Sequence, residues 1–294
     1  MALLNEYNGI PTMNTGILLI DCPDRKGIVA AVGEYLYRHN ANILHADQHQ
    51  DAERGLFLMR VEWDLAGFDV GLDEFARQFE EIAGRFQMRW RVERSDRPHR
   101  VALFVSKYDH CLVDLLYRWR NGMLAIDIPL IVSNHPDCQP VAGRYEIPFL
   151  HLPVTPDTKA EQEAQLTGLI EAHAIDLVVL ARYMQILSDD VCAFLRGRAI
   201  NIHHSFLPGF KGARPYHQAH ERGVKLIGAT AHYVTEALDA GPIIDQDVTR
   251  VSHRDEIEDL IGIGRDVERL VLARAVKAHL DDRVLLDGDR TIVF

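Results

Sequence analysis

The segment Ala199-Ile-Asn-Ile-His-His-Ser-Phe-Leu-Pro-Gly-Phe-Lys-Gly-Ala213 is the most informative part of this sequence. Its β-branched residues predict a strand, and the proline and glycines after them predict a turn. Because side chains alternate along a strand, Asn201 and His203 share one face at its end. Ligands bind at the carboxyl ends of strands in open α/β sheets, and an amide beside an imidazole can stabilise an oxyanion. The alternative is a polar strand end whose histidine is satisfied by its neighbours.

A second segment, Gly228-Ala-Thr-Ala-His-Tyr-Val-Thr-Glu-Ala-Leu-Asp-Ala-Gly-Pro-Ile-Ile244, predicts a strand, a polar loop and another strand. Asp239 lies in the loop, directly before turn-forming residues. Near Asn201 and His203, its carboxylate would complete an acid–base set. The alternative is an aspartate that only binds the backbone of its own turn.

Together the two segments resemble the N-I-H-x-S-x-L-P-x-F-x-G and H-x-V-x-x-x-L-D-x-G-P patterns of the folate-dependent formyltransferase family. Glycinamide ribonucleotide formyltransferases and formyltetrahydrofolate deformylases share these patterns. The resemblance implies that Asn201, His203 and Asp239 are catalytic, and that His232 supports Asp239. Residues 180–188 are similar to the family's pterin-binding loop. The resemblance implies substrate contacts from Met184, Gln185 and Leu187 on one side of the pterin, and from Thr235 and Glu236 on the other.

The composition indicates a soluble globular protein. The chain has 294 residues, enough for two domains, with 47% hydrophobic and 26% charged residues. A net charge of −11 disfavours nucleic acid or an anionic membrane as partner. No apolar run reaches the length of a membrane span, and no signal-peptide pattern is present. Four scattered cysteines without C-x-x-C spacing favour reduced thiols in the cytoplasm.

The N-terminal part predicts the order β-α-β-β-α-β of a ferredoxin-like domain. We expect strands at 16–20, 42–50, 55–63 and 87–92, and helices at 28–38 and 68–86; residues 1–13 have no periodic pattern and are interpreted as a loose leader. The turn Asp24-Arg-Lys-Gly-Ile-Val29 resembles the opening of an ACT domain. That resemblance implies that Asp24, Gly27 and Ile28 bind a small amino-acid effector; the alternative is a module that only joins subunits. Either predicts a homo-oligomer.

The second part predicts a Rossmann-like, mostly parallel, doubly wound sheet, since strands and helices alternate along it. A polar segment with Pro98 separates the two parts. We therefore predict an ACT-like domain at 15–94, a linker at 95–100 and a formyltransferase-like domain at 101–294. Gly262-Ile-Gly264 follows no strand and is not a dinucleotide fingerprint.

The loop Ser106-Lys-Tyr-Asp-His110 contains no glycine. The resembling glycinamide ribonucleotide formyltransferases have a Gly-rich loop here that receives the ribonucleotide phosphate, whereas Asp109 would repel that dianion. With the ACT-like domain, this makes the deformylases the closer resemblance. It implies hydrolysis of 10-formyltetrahydrofolate to tetrahydrofolate and formate, which supplies one-carbon units for purine synthesis. The alternatives are a formyltransferase acting on an amine, and a non-catalytic folate or amino-acid sensor.

Hydrolysis of a formamide requires a polarised oxygen, an activated water and a proton for the departing amine. Asn201 can donate to the developing oxyanion, and His203 can donate to it or pass a proton to nitrogen. Asp239 would deprotonate the water or hold His203 in its productive charge state. Because the resemblance makes 10-formyltetrahydrofolate the substrate, it implies no cofactor. We also expect no metal, since His217 and His220 lack further ligands at a recognisable spacing. Lys211 is interpreted as a contact to the glutamate tail or as an exposed turn residue.

Overall fold

The computed structural model describes residues 14–209 and 215–294; the predicted leader (1–13) and Lys211 lie outside these residues. The described chain forms two compact units. The N-terminal unit comprises residues 14–97 with His279–Leu285 and Ile292–Phe294, and the C-terminal unit comprises Pro98–Ala278 with Leu286–Thr291. No helix among the described residues is long and apolar enough to cross a membrane.

The N-terminal unit has the predicted β-α-β-β-α-β order. Its elements are β1 (Thr15–Pro23), α1 (Ile28–Arg38), β2 (Asn42–Asp51), β3 (Leu56–Asp64), α2 (Leu72–Phe86) and β4 (Arg89–Arg94). The sheet order is β2-β3-β1-β4, and β1 is antiparallel to both neighbours. One face buries a core that includes Val32 and Leu36 of α1 and Phe75 and Phe79 of α2. The two phenylalanine rings stack with centroids 5.4 Å apart.

Two predicted boundaries in this unit are wrong. Helix α2 begins at Leu72 and not at residue 68, because Gly67 is in a left-handed turn (φ 80°) and the apolar Phe68 packs on the core from that turn. Strand β1 continues through Pro23, beyond its predicted end at residue 20. It does so because Cys22 is buried in the core and pairs with Phe57 of β3.

The other face of this sheet is covered by residues from the far end of the chain. Leu19 and Leu58 pack against Leu285, with Ile292 and Phe294 beside them. The buried Arg60 side chain donates to the carbonyls of Asp281 and Asp282, each at 3.0 Å. A guanidinium is well placed there, because the carbonyls that follow a helix carry partial negative charge.

The C-terminal unit is built on a seven-stranded sheet of order β11-β10-β9-β8-β5-β6-β7. Strands β5 to β9 pair in parallel, and β10 and β11 are antiparallel, so the sheet is mostly parallel as predicted. Its strands are β5 (His99–Val105), β6 (Ile126–Ser133), β7 (Phe149–His151), β8 (Leu177–Leu180), β9 (Ala199–His203), β10 (Leu226–Tyr233) and β11 (Ile243–Arg250). All four residues of β8 are buried, as expected of a strand covered on both faces.

The helices of this unit are α3 (His110–Arg120), α4 (Gln139–Arg144), α5 (Lys159–Ala172), α6 (Asp189–Phe194), α7 (Pro215–Glu221) and α8 (Ile257–Leu280). After them, β12 (Val284–Asp287) pairs with β13 (Arg290–Val293). Helix α8 continues through Gly262 and Gly264. A Cβ on Gly264 would lie 2.0 Å from the Tyr216 hydroxyl, so this glycine provides space for that side chain, whereas nothing lies within 4 Å at Gly262.

Candidate active site

The site begins at the carboxyl end of β9. Residues 201 and 203 lie on the same side of this strand, which pairs with the antiparallel β10 so that Asn201 is opposite His232 and His203 is opposite Thr230. The Asn201 amide nitrogen lies 3.3 Å from Nε2 of His232. The sheet register therefore brings two predicted site residues from different segments into contact.

The tautomer of His232 follows from its neighbours. Its Nδ1 lies 2.9 Å from the Tyr233 carbonyl, which can only accept a hydrogen bond, so Nδ1 carries the proton. Burial lowers the pKa of His232, which keeps the ring neutral. Nε2 is then an acceptor for one N–H of Asn201, and the second N–H of that amide is left for a ligand. His232 thus fixes which end of the amide is the donor.

Asp239, in the loop between β10 and β11, lies beside both histidines. Its Oδ2 lies 3.3 Å from His203 Nδ1, and its Oδ1 lies 3.8 Å from His232 Nε2. Contact with His203 lowers the pKa of Asp239 despite partial burial, so the carboxylate is ionised at neutral pH. Its backbone is left-handed (φ 53°), a conformation that aspartate and asparagine tolerate better than most residues. His203 Nε2 is buried and makes no hydrogen bond to any described residue.

These four side chains line one cavity of about 380 Å³. The five residues predicted to contact the pterin from its two sides line the same cavity: Met184, Gln185, Leu187, Thr235 and Glu236. Leu187 is buried, whereas the Met184 side chain is half exposed and forms part of the apolar wall of the cavity.

The backbone of Met184 is already engaged. Its N–H donates to Ser106 Oγ at 2.9 Å, and its carbonyl accepts from the Gln185 side chain at 3.0 Å. The Ser106 contact fixes the start of the loop against the end of β5. Hydrogen bonds from this loop to a pterin are therefore expected from the backbone of Gln185 and Leu187, with Met184 contributing its side chain.

Sequence reasoning missed a buried cluster beside the cavity. Glu268 of α8 accepts from Tyr216 Oη at 2.6 Å and pairs with His110 Nε2 at 2.9 Å; Arg182 Nε lies 3.4 Å away. Burial alone would raise the pKa of Glu268, but His110 and the Arg182 charge outweigh it and lower the pKa. The sequence does carry one signal, since Glu268 follows Gly264 by four residues on the buried face of α8.

The predicted effector turn lies in the N-terminal unit. Gly27 precedes α1 with φ 96°, so a residue with a side chain would be strained there. Asp24 accepts a hydrogen bond from the Gln50 side chain of β2. The Ile28 side chain is 1% exposed and belongs to the core, so this residue can meet an effector only through its backbone.

Comparison with known proteins places each unit in a family. Residues 99–276 match the Formyl transferase family, and residues 16–84 match the ACT domain. A glycinamide ribonucleotide transformylase structure from Symbiobacterium toebii covers 67% of this chain and is itself covered to 94%, with 29% identity and a TM-score of 0.63. The C-terminal unit therefore has the formyltransferase fold.

Longer matches define the family more narrowly. A formyltetrahydrofolate deformylase of Synechocystis sp. is 54% identical over 95% of this chain and 98% of its own length. A formyltetrahydrofolate deformylase of Bacillus subtilis is 49% identical over 99% of this chain and 97% of its own length. A deformylase crystal structure from Pseudomonas syringae has a TM-score of 0.95 at 51% identity and covers 97% of this chain and 96% of that one. The chain belongs to the formyltetrahydrofolate deformylase family.

Proposed function

We propose that this protein is an enzyme that hydrolyses 10-formyltetrahydrofolate to tetrahydrofolate and formate. The observation that supports this most directly is the closed set formed by Asn201, His232, Asp239 and His203 on one cavity. It joins an oriented amide donor, an ionised carboxylate and an imidazole with a free nitrogen. The full-length similarity to formyltetrahydrofolate deformylases supports the same reaction.

Each residue of the set has a proposed role. Asn201 donates its free N–H to the formyl oxygen; His203, when its ring is protonated on both nitrogens, donates from Nε2 to the same oxygen or passes that proton to the departing nitrogen. Asp239 accepts a proton from the attacking water while holding His203 by Nδ1. His232 positions Asn201 and does not touch the reacting atoms; its Nε2 accepts from Asn201 and so donates nothing to Asp239, which lies 3.8 Å away. This chemistry uses side chains and water, so we propose no cofactor and no metal.

Gln185 and Leu187 are proposed to hold the pterin edge through their backbone, opposite the loop that contains Thr235 and Glu236. A pterin presents an amide and an amino edge, which backbone groups can pair with directionally. Met184 and Leu187 provide the apolar surface against the ring.

The test is formate release from 10-formyltetrahydrofolate by purified protein in buffer without an amine. One formate per tetrahydrofolate is the expected result. Formate that appears with no amine dependence separates hydrolysis from formyl transfer. If the formyl group instead moved to an added amine and no formate formed without it, the hydrolase assignment would be wrong.

A second set of proposals concerns the N-terminal unit. We propose that the turn at Asp24 and Gly27 binds a small amino acid, with contacts from the backbone of Ile28, and that the protein is a homo-oligomer. Strand β2 supports assembly, because it lies at the sheet edge and most of its residues are exposed. Light scattering measures the oligomeric state, and calorimetric titration with each candidate amino acid measures its binding. We also propose a cytoplasmic location, since all four cysteines are free and buried.

A further inference from the structure

Arg182 is a buried cation on the catalytic cavity for which the proposed mechanism has no use. Its side chain is 8% exposed, and the residue lines the cavity that also contains Asn201, His203 and Asp239. Its Nε and Nη1 are both buried and make no hydrogen bond to any described residue. Buried donors without partners are costly, so a native protein that keeps them invites a functional explanation.

The guanidinium is held in place, but its Nε and Nη1 donors have no hydrogen-bond acceptor among the described residues. The Glu268 carboxylate lies 3.4 Å from Nε, and the shorter contacts of that carboxylate are with Tyr216 (2.6 Å) and His110 (2.9 Å). Glu268 therefore offsets the charge of Arg182, while Nε and Nη1 have no hydrogen-bond partner in the described part of the chain. The backbone is also fixed, because the Ser106 N–H donates to the Arg182 carbonyl at 3.2 Å and φ is left-handed at 67°.

Two further neighbours of the guanidinium, Tyr108 and His204, bring no carboxylate to this end of the cavity. The guanidinium lies 5.9 Å from the Tyr108 ring, whose face attracts a cation without accepting a strong hydrogen bond. Burial and then the Arg182 charge lower the pKa of His204 to about 4, so the imidazole is neutral at physiological pH. The donor atoms of His110, Cys111 and Glu268 lie within 4.8 Å of one another, but the adjacent guanidinium makes a divalent metal unfavourable there.

The proposed reaction forms an anion that suits this fork. Water adds its oxygen to the formyl carbon, the carbon–nitrogen bond breaks, one proton goes to nitrogen and the other is released to solvent. The carbon leaves as formate, with one negative charge shared by two oxygens. Transfer to an amine would form a neutral amide instead. A guanidinium matches a carboxylate with two parallel N–H donors, which a lysine cannot do.

We propose that Arg182 is the receptor for the formate carboxylate produced in the cavity, held in position by Glu268. This inference rests on the proposed hydrolysis for its ligand. Its test measures binding and needs no turnover, so the formate site and the hydrolysis can each be refuted without the other.

The experiment measures binding of sodium formate by saturation-transfer NMR, with sodium chloride at matched ionic strength as the reference. Wild type is expected to bind formate and Arg182→Gln to bind it about tenfold or more weakly, since a hydrogen-bonded charged partner is lost. Arg182→Lys is expected to fall between them. Arg265→Gln is the matched control, because Arg265 stacks on the same Tyr108 ring at 5.3 Å but does not line the cavity.

Tetrahydrofolate binding by each variant shows that the fold and the pterin site are intact. The proposal is overturned if Arg182→Gln binds formate as wild type does, or if Arg265→Gln weakens binding equally. It is also overturned if wild type shows no saturation transfer to formate, or if equimolar chloride displaces formate from it, which requires no variant to fold. A protein that binds formate through Arg182 but releases none from 10-formyltetrahydrofolate would refute the hydrolase assignment and leave the anion site standing.

Discussion

The sharpest test of the catalytic set is Asp239→Asn. Asparagine has nearly the shape of aspartate and tolerates the left-handed backbone at this position (φ 53°), whereas alanine would add roughly 1–2 kcal/mol of strain. The substitution thus removes the charge 3.3 Å from His203 Nδ1 and 3.8 Å from His232 Nε2 while the loop keeps its conformation. Any loss of rate then reports the chemistry of the carboxylate.

The expected effect on the rate is large and that on stability is small. Loss of a general base costs about 10²- to 10⁴-fold, or roughly 3–5 kcal/mol of barrier. The free energy of unfolding should fall by about 1 kcal/mol, since the amide can still accept from His203. The assay is single-turnover formate release, with thermal unfolding measured on the same samples.

The sign of the pH dependence follows from the lowered pKa of Asp239. Its stabilising contribution is present above the ordinary aspartate range and disappears only as the pH falls through the depressed pKa. The rate deficit of Asp239→Asn should therefore be constant across neutral pH. Asp282→Asn is the control, because Asp282 is also left-handed (φ 49°) but belongs to the N-terminal unit. A variant at residue 239 that kept wild-type activity within about tenfold would refute the role given to this carboxylate.

Further substitutions test the surrounding structure. His232→Phe should lower kcat about ten- to a hundredfold with a smaller change in KM, because Asn201 loses the partner that orients its amide; an unchanged kcat would contradict this. The free energy of unfolding of the wild type should fall as the pH falls from about 6.5 to about 4, because the unfolded state binds a proton at His204 that the folded state does not. His204→Asn should therefore make this fall less steep. An unchanged slope in urea titrations at several pH values would show that His204 does not cause the pH dependence. Gly264→Ala should lower the melting temperature, because its Cβ would meet Tyr216 Oη at 2.0 Å. Gly262→Ala should instead raise the free energy of unfolding by about 1 kcal/mol, since nothing lies within 4 Å of its Cβ position. Equal changes in melting temperature for the two variants would contradict the packing at Tyr216.

Much of the site could be predicted because its residues lie within two continuous segments. The alternation along β9 placed Asn201 and His203 on one face, and turn chemistry placed Asp239 in a loop. The pairing of β9 with β10, which the sequence does not state, determines that His232 contacts Asn201. The contact is a matter of register, and a shift by one residue would move His232 to the opposite face.

The cluster around Arg182 could not be predicted in the same way. Its members come from the loop after β8, from α3, from α7 and from α8, and no local pattern connects them. Arginine within an apolar segment and glutamate on a buried helical face are each visible in the sequence. Only the tertiary structure shows that these two side chains form an ion pair. The start of α2 was predicted wrongly for a related reason. Phe68 fits the helical spacing of apolar residues, but it packs on the core from the turn before the helix.

The far end of the chain has a consequence for folding during synthesis. Leu19 and Leu58 are made early, but the residues that cover them, Leu285, Ile292 and Phe294, leave the ribosome more than two hundred positions later. The N-terminal unit therefore exposes an apolar sheet face while the whole C-terminal unit is being translated. A fragment limited to residues 14–97 would keep that face permanently open, so measurements of effector binding belong on the full chain.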